Sequence, residues 1–208
     1  GLVALAGTLA WRRRSGVIAS AAHVDRQVSP VLLPVVRLGK RAGTSARSEL
    51  SRARTLYGQL PPPRTGEILV VGASRHSGTD VVAQLLYMGA VEHVSVTAMN
   101  VVDEFANLSA ATVREKLAAL PLPTDEGRTV IIDGGSVASA PQMLAVAERA
   151  SQIVVVVRIG RDVAAEVEVL LHAIQNEDVP ITAICTKGRL ATSEGTPRRK
   201  GSEGGRHS

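Results

Sequence analysis

The amino-acid sequence predicts an α/β fold in which a doubly wound parallel sheet carries helices on both faces. Short runs rich in Val and Ile recur between residues 66 and 187, as at residues 68–71 and 153–157. Segments with apolar residues at helical spacing lie between these runs. Strands that alternate with helices of about 10 to 15 residues indicate right-handed crossovers within one parallel sheet.

Composition and charge limit the classes of function. The 208 residues suffice for one α/β domain with extensions, and 45% of them are apolar. Aromatic residues make up only 2%, which disfavours nucleic-acid binding by base stacking. The net charge of +5 is concentrated near the N-terminus, between residues 37 and 54, and in the tail. This distribution suits an anionic membrane surface, and we predict no nucleic-acid partner. The single cysteine, Cys185, is predicted to be a small buried core residue, in agreement with a cytoplasmic domain.

Residues 1–14 are predicted to be the end of a transmembrane helix and its basic stop. Residues 1–11 are almost wholly apolar and end at Trp11, which three arginines follow. Eleven helical residues reach roughly 16 Å, about half a bilayer core, so we expect the helix to continue upstream. The positive-inside rule then places the rest of the chain at the cytoplasmic face of the plasma membrane. The alternative is an internal core helix of a soluble protein.

Residues 15–65 are predicted to form a juxtamembrane helix and linker segment. A short helix is expected at residues 20–28, with Ser20 as its N-cap. Residues 31–36 are extended, and their prolines restrict them to an edge strand or a linker. A second helix is expected at residues 45–60, where three consecutive prolines end it.

Residues 66–187 are predicted to form the α/β domain, and residues 188–208, rich in Gly, Ser and charge, a disordered tail. The strands of the domain are predicted at residues 68–71, 91–97, 129–133, 153–157 and 180–185. Its helices are predicted at residues 81–88, 109–120, with Ser109 as a possible N-cap, 141–150 and 162–176.

The turn after the first of these strands, residues 73–80, has the shape of a P-loop without its chemistry. A phosphate-binding loop reads G-x-x-x-x-G-K-[ST], with lysine on the β- and γ-phosphates and the hydroxyl on Mg²⁺. Here Ala73 stands for the first glycine, Gly78 for the last, Thr79 for the lysine and Asp80 for the hydroxyl residue. Because Asp80 would repel a triphosphate, we predict a degenerate loop. The alternative is an ordinary strand-to-helix turn whose Asp80 favours the helix dipole.

Five residues are the candidate cofactor site if nucleotide binding is retained: Ser77, Gly78, Thr79, Asp80 and Asp133. Asp133 is predicted at the carboxyl end of a parallel strand, where ligands usually bind, or as a cap of the following turn. Arg158 is predicted at the same edge and could offset that acid. No metal site is predicted, because the histidines lack ligand spacing. No catalytic residue is predicted, because the loop lacks the P-loop lysine. The absence of G-x-G-x-x-G disfavours a dinucleotide-dependent enzyme.

The order of these pieces resembles bacterial polysaccharide chain-length determinants, or polysaccharide co-polymerases, fused to bacterial tyrosine-kinase domains. VSPVLLPVV, residues 28–36, resembles the extended segment "LPVLGVIP" of that family, and residues 130–160 resemble its Walker-B region. The resemblance implies a Rossmann-like, P-loop NTPase-like fold and self-oligomers in the membrane. It also implies contact with polysaccharide polymerase or export proteins. In the family, the aspartate that Asp133 matches helps to organise Mg²⁺ beside ATP.

The departures from the family fall on its catalytic residues. Thr79 and Asp80 replace the lysine and hydroxyl, and no acid lies in residues 96–100, where the second acidic motif is expected. The C-terminal tyrosine cluster is absent, and the assembly motif E-x-x-R-x-x-R is matched only at Glu49 and Arg52. We therefore predict a pseudokinase-like regulatory domain of a chain-length determinant, without cofactor. The alternative is an ATP- and Mg²⁺-dependent tyrosine autokinase of exopolysaccharide or capsule biosynthesis.

Overall fold

The structure is a computed structural model that describes residues 16–39, 45–105, 108–118, 128–175 and 178–188. The helices and strands of these residues follow one another along the chain. They are α1 (Ala21–Val24), β1 (Val31–Arg37), α2 (Ala46–Gln59), β2 (Gly66–Gly72), α3 (Thr79–Ala90), β3 (Ser95–Asn100), α4 (Val101–Glu104), α5 (Ala110–Ala118), β4 (Arg128–Ser136), α6 (Met143–Ala147), β5 (Gln152–Arg158), α7 (Ala164–Ile174) and β6 (Ile181–Lys187).

The described strands form one six-stranded sheet in the order β1-β6-β5-β2-β4-β3, and every neighbouring pair is parallel. Each face of the sheet has its own apolar core. One core contains residues of α2 and α3, and the other contains residues of α1, α5, α6 and α7. The predicted parallel α/β sheet with helices on both faces is confirmed.

Strand β2 lies inside the sheet, and its sequence explains why. Ile68, Leu69, Val70 and Val71 are all fully buried. Because successive side chains of a strand point to opposite faces, Leu69 and Val71 enter one core while Ile68 and Val70 enter the other. A strand that is apolar on both faces is stable only between two such layers.

Close packing of α2 on α3 depends on a glycine. A Cβ atom at Gly89 would lie 2.5 Å from the carbonyl oxygen of Ala53 and 2.7 Å from Cβ of Tyr57. The absence of a side chain therefore allows the two helix backbones to approach, which anchors α3 and the loop that precedes it.

The extended segment predicted at residues 31–36 is an edge strand, β1, which pairs with β6. Its outer backbone is covered by one amide side chain. Gln59 Nε2 donates to the Leu33 carbonyl (2.5 Å), and the Leu33 N–H donates to Gln59 Oε1 (3.0 Å). The segment predicted as residues 15–65 thus contributes β1 and α2 to the same body as the α/β domain, while its juxtamembrane position stays a prediction.

The second strand of the α/β domain, predicted at residues 91–97, was placed too early. β3 is Ser95–Asn100, and the residues before it form turns. The N–H of Val91 donates to the Tyr87 carbonyl (3.0 Å), and the N–H groups of His93 (2.8 Å) and Val94 (3.0 Å) donate to the Ala90 carbonyl. These bonds continue the end of α3, so the alternating pattern of the sequence there does not form a strand.

Other element boundaries differ from prediction at their ends. Ser45 and Ser109 act as N-caps by accepting the N–H groups of Ser48 (3.3 Å) and Thr112 (3.2 Å). Ser20 makes no such bond, and the helix that it precedes is only four residues long. The helix predicted at residues 141–150 is confined to α6, with turns on either side. α7 begins two residues later than predicted, which leaves Asp162 outside the helix.

Two predictions concern residues that the structure does not describe. The transmembrane end at residues 1–14 lies outside the described residues, as does the predicted tail from residue 189 onward. Within the described ranges, no helix combines the length and apolar character that crossing a membrane requires.

Candidate functional site

The candidate site lies at the point where the sheet changes its direction of winding. β2 has β4 and β3 on one side and β5 and β6 on the other. The crevice outside the carboxyl end of such a strand is the usual ligand site of an open α/β sheet. The loop of residues 73–78 leaves β2 at this point and leads into α3.

The loop is held by a buried acid that follows β5. Asp162 has no exposed surface and accepts three hydrogen bonds. The hydroxyls of Ser74 and Ser77 each donate to it at 2.7 Å, and the backbone N–H of Arg158 donates at 2.7 Å. A carboxylate with these donors stabilises one loop conformation, because the buried Ser77 hydroxyl would otherwise lack an acceptor and the two partly buried donors would lose theirs.

Backbone N–H groups of the loop are also used within it. The Ser74 N–H donates to Ser77 Oγ (2.9 Å), the His76 N–H to Ser74 Oγ (3.2 Å), and the Ser77 N–H to the Ser74 carbonyl (3.1 Å). The Ser77 carbonyl accepts from the hydroxyl of Thr186 (2.6 Å). In a phosphate-binding loop such N–H groups surround the ligand, whereas these three donate to the protein.

The last residue of the loop must be glycine. Gly78 has a φ of +82°, in the left-handed region that L side chains rarely adopt. A Cβ atom there would lie 2.5 Å from Cδ2 of Leu38, so an apolar side chain from the end of β1 borders the loop.

Asp133, in the carboxyl-terminal half of β4, lies near the residue that replaces the P-loop lysine. It is 8% exposed, and the hydroxyl of Thr79 is close enough to act on its ionisation. The Gly135 N–H donates to it at 3.0 Å, and the Asn100 amide approaches at 3.5 Å. Thr79 is thus the hydroxyl that faces the acid, although its place in the motif is that of the lysine.

Neighbouring acids perturb the ionisation of Asp133. Burial raises the pKa of Asp133 above its ordinary value, and the charges of Asp80 and Asp103 raise it further, against the bonds from Thr79 and Gly135. No ion pair with a Lys or Arg is formed by Asp133 within the described ranges of the chain.

A cavity of about 340 Å³ lies beside these acids. Asp80 and Asp133 line one part of it, and Ala83, Tyr87 and Met99 contribute to its apolar part. The negative charge is located where a triphosphate would require positive charge. The residues present therefore do not fit Mg²⁺-ATP bound in the P-loop manner.

The predicted site residues are divided between two sides of the loop. Thr79, Asp80 and Asp133 lie together on the β4 side, whereas the hydroxyl of Ser77 points to the buried acid behind the loop. The prediction that Arg158 offsets Asp133 is wrong. Its guanidinium donates to the His76 carbonyl (3.1 Å), and its strand, β5, is separated from β4 by β2.

Sequence reasoning missed two acids. Asp162 is predicted in a helix, although an acid just after a strand in a Gly-bearing turn is a signal for a turn anchor. Asp103 was missed because the strand before it was predicted to end at residue 97. With β3 ending at Asn100, Asp103 lies in α4, the helix that follows this strand, and its charge acts on the ionisation of Asp133.

Comparison with known proteins identifies no family. No protein-family model matches the chain, and no curated protein matches it. Among solved structures, the chain is similar to the kinase domain of the Escherichia coli tyrosine kinase ETK, with 12% sequence identity and a TM-score of 0.49. The alignment covers 88% of this chain and 93% of that chain. No residue role follows from a similarity of this size.

Proposed function

We propose that this chain provides a regulatory α/β domain that does not transfer phosphate. The observation that carries the proposal is that two acids, Asp80 and Asp133, line one cavity at the start of α3. A P-loop enzyme has a cationic lysine at the place in the sequence that Thr79 occupies. Here that residue carries a neutral hydroxyl, and the charged side chains beside it are negative.

The charge at the site decides between a catalytic and a non-catalytic role. Phosphoryl transfer depends mainly on positioning and on neutralisation of the phosphates by lysine and metal. Two unit charges about 4 Å apart interact by about 4 kcal/mol near a protein surface. Replacing a cation by an anion therefore turns a large attraction for a bound triphosphate into a repulsion. The sheet and its loop need no lysine to fold, and they remain available as a scaffold.

The finer proposal is that the domain belongs to a polysaccharide chain-length determinant. It rests on the resemblance of residues 28–36 and 130–160 to that family. The domain would be tethered by residues 1–14 at the cytoplasmic face of the plasma membrane. There it would self-associate and contact the polymerase or export proteins of a surface polysaccharide, with no cofactor of its own.

An ATP-dependent tyrosine autokinase is the second candidate. It is favoured by one observation, which is that Asp133 lies in the carboxyl-terminal half of β4 and pairs with Val70 of β2, the strand at which the winding changes.

Nucleotide binding separates the two candidates. We expect calorimetric titration of the purified chain with ATP or ADP to give no Mg²⁺-dependent binding at millimolar nucleotide. The Asp133→Asn variant should behave as the wild type. Tight, Mg²⁺-dependent ATP binding that Asp133→Asn abolishes, or phosphate transfer to tyrosine, would refute the non-catalytic proposal.

The polysaccharide role has its own test. Deletion of the gene should change the length distribution of a surface polysaccharide, measured by gel electrophoresis of the purified polymer. Both the wild-type gene and an Asp133→Asn copy should restore the distribution. An unchanged distribution in the deletion strain would exclude the chain-length role while leaving the absence of catalysis intact.

A further inference from the structure

Three arginines converge on the β5 side of the loop, opposite the acids. Arg75 Nε donates to Nε2 of His76 (3.2 Å), and Arg158 donates to the His76 carbonyl (3.1 Å). Arg161 is in the turn after β5, where its N–H donates to the Arg158 carbonyl (3.2 Å). Arg75 and Arg158 thus contact His76 directly, and the charge of Arg161 also acts on its imidazole.

The backbone makes room for the middle arginine. A Cβ atom at Gly188 would collide with the guanidinium of Arg158, so this side chain lies against bare backbone at the end of β6. Arg158 is half-buried, while Arg75 and Arg161 are exposed. Arg158 is thus held by the His76 carbonyl, and the other two arginines are accessible to solvent.

The nearby negative charge does not balance these cations. Asp162 is the acid that acts on His76, and it is buried, where it accepts bonds from two serines and one backbone N–H. Burial lowers the pKa of His76, and the charges of Arg161, Arg75 and Arg158 lower it further, against Asp162. The surroundings of the His76 imidazole therefore carry more positive than negative charge.

We propose that Arg75, Arg158 and Arg161 form a binding site for a phosphate group, separate from the P-loop position on the other side of the loop. Guanidinium groups match the geometry of phosphate oxygens and bind them by charge-assisted hydrogen bonds. The phosphate belongs either to an anionic lipid headgroup or to a soluble phosphate compound. The site does not depend on whether the domain catalyses phosphate transfer.

Titration with inorganic pyrophosphate tests the site in solution. The pKa of His76 is followed by NMR of the full chain, with His76→Gln used to assign the signal. Pyrophosphate should raise this pKa, because the bound anion offsets the arginine charges. Arg161→Gln should raise the pKa without ligand and weaken pyrophosphate binding about tenfold, the loss of roughly one charge-assisted bond.

A matched variant and a lipid arm complete the experiment. Arg26 is also exposed but lies before the amino end of β1 and does not act on His76, so Arg26→Gln should leave the His76 response unchanged. Sedimentation with phosphatidylcholine vesicles, with or without phosphatidylglycerol, identifies the source. Loss of the phosphatidylglycerol-dependent part in Arg161→Gln but not in Arg26→Gln assigns a lipid headgroup, and a response to pyrophosphate alone assigns a soluble phosphate. No response in either arm, or equal effects of the two variants, would overturn the proposal.

Discussion

Buried acids at the two ends of the parallel strands, called here the amino edge and the carboxyl edge of the sheet, have opposite kinds of neighbour. At the amino edge, Glu67 and Arg149 form a buried ion pair, with Nη2 and Oε1 2.7 Å apart and side chains 6% and 15% exposed. Arg149 Nε also donates to both carboxylate oxygens, at 2.8 and 3.0 Å. At the carboxyl edge, Asp133 is as buried as Glu67 but lies near two further acids.

The difference separates charges that support the fold from charges that do not. Removing one partner of a buried ion pair leaves an uncompensated buried charge, which strongly destabilises the fold. A buried carboxylate that lies beside like charges already opposes folding in the wild-type protein. Stability therefore explains Glu67 but does not explain Asp133, which is the physical reason to look for function at the carboxyl edge.

Removal of Glu67 should give the largest effect on stability. Glu67→Ala leaves the guanidinium of Arg149 buried without its carboxylate, and we expect a loss of about 3 to 5 kcal/mol in the free energy of unfolding. Urea denaturation followed by circular dichroism measures it. Glu148→Ala is the matched control, because its ion pair with Arg114 is more than half exposed on both sides and should contribute less than about 1 kcal/mol. Equal losses of stability in Glu67→Ala and Glu148→Ala would show that the buried ion pair at the amino edge does not support the fold more than an exposed one.

Removal of Asp162 should lower the free energy of unfolding by less than removal of Glu67, and it should loosen the loop of residues 73–78. Asp162→Ala deprives Ser74, Ser77 and the Arg158 N–H of their common acceptor, and we expect a loss of about 3 kcal/mol. Hydrogen exchange at the Ser77 amide should become faster than in the wild type. Asp25→Ala, at an exposed position after α1, should change stability by less than about 0.5 kcal/mol. A loop that stays protected without Asp162 would show that the acid does not hold it.

The sequence was informative where structure depends on local pattern. Fully apolar runs such as residues 68–71 predict a buried strand, since every side chain must enter one of two cores. The loop after it was predicted from its two boundaries and its glycine. The N-cap Ser109 was predicted because a cap bonds within three residues, whereas Ser20, predicted on the same ground, makes no such bond.

The same approach failed where the partners are distant in sequence. Asp162 holds serines 88 and 85 residues earlier in the chain, and no local pattern records that pairing. The prolines of residues 31–36 correctly allow an edge strand, but they do not identify its partner, β6, which begins 150 residues later at Ile181. The geometry of the arginines around His76 likewise requires two segments to be brought together by the sheet.

Neutralising Asp133 should produce the smallest change in the free energy of unfolding, and this change should be a gain in stability. A carboxyl whose pKa is raised by folding opposes stability above its folded pKa, and the penalty disappears as pH falls through that value. Asp133→Asn should therefore be more stable than the wild type at pH 7, by up to about 1 kcal/mol. The difference should shrink on acidification to pH 4, as measured by urea denaturation at both pH values.

Asp80 provides the companion variant, because its charge contributes to the raised pKa of Asp133. Asp80→Asn should lower the pKa of Asp133, followed by carbon NMR of the carboxyl group, while Asp25→Asn should leave it unchanged. An ordinary Asp133 pKa in the wild type would contradict the contrast between the edges. A raised pKa that does not respond to Asp80→Asn would assign the shift to burial alone, and the repulsion expected to exclude a triphosphate would then not come from Asp80.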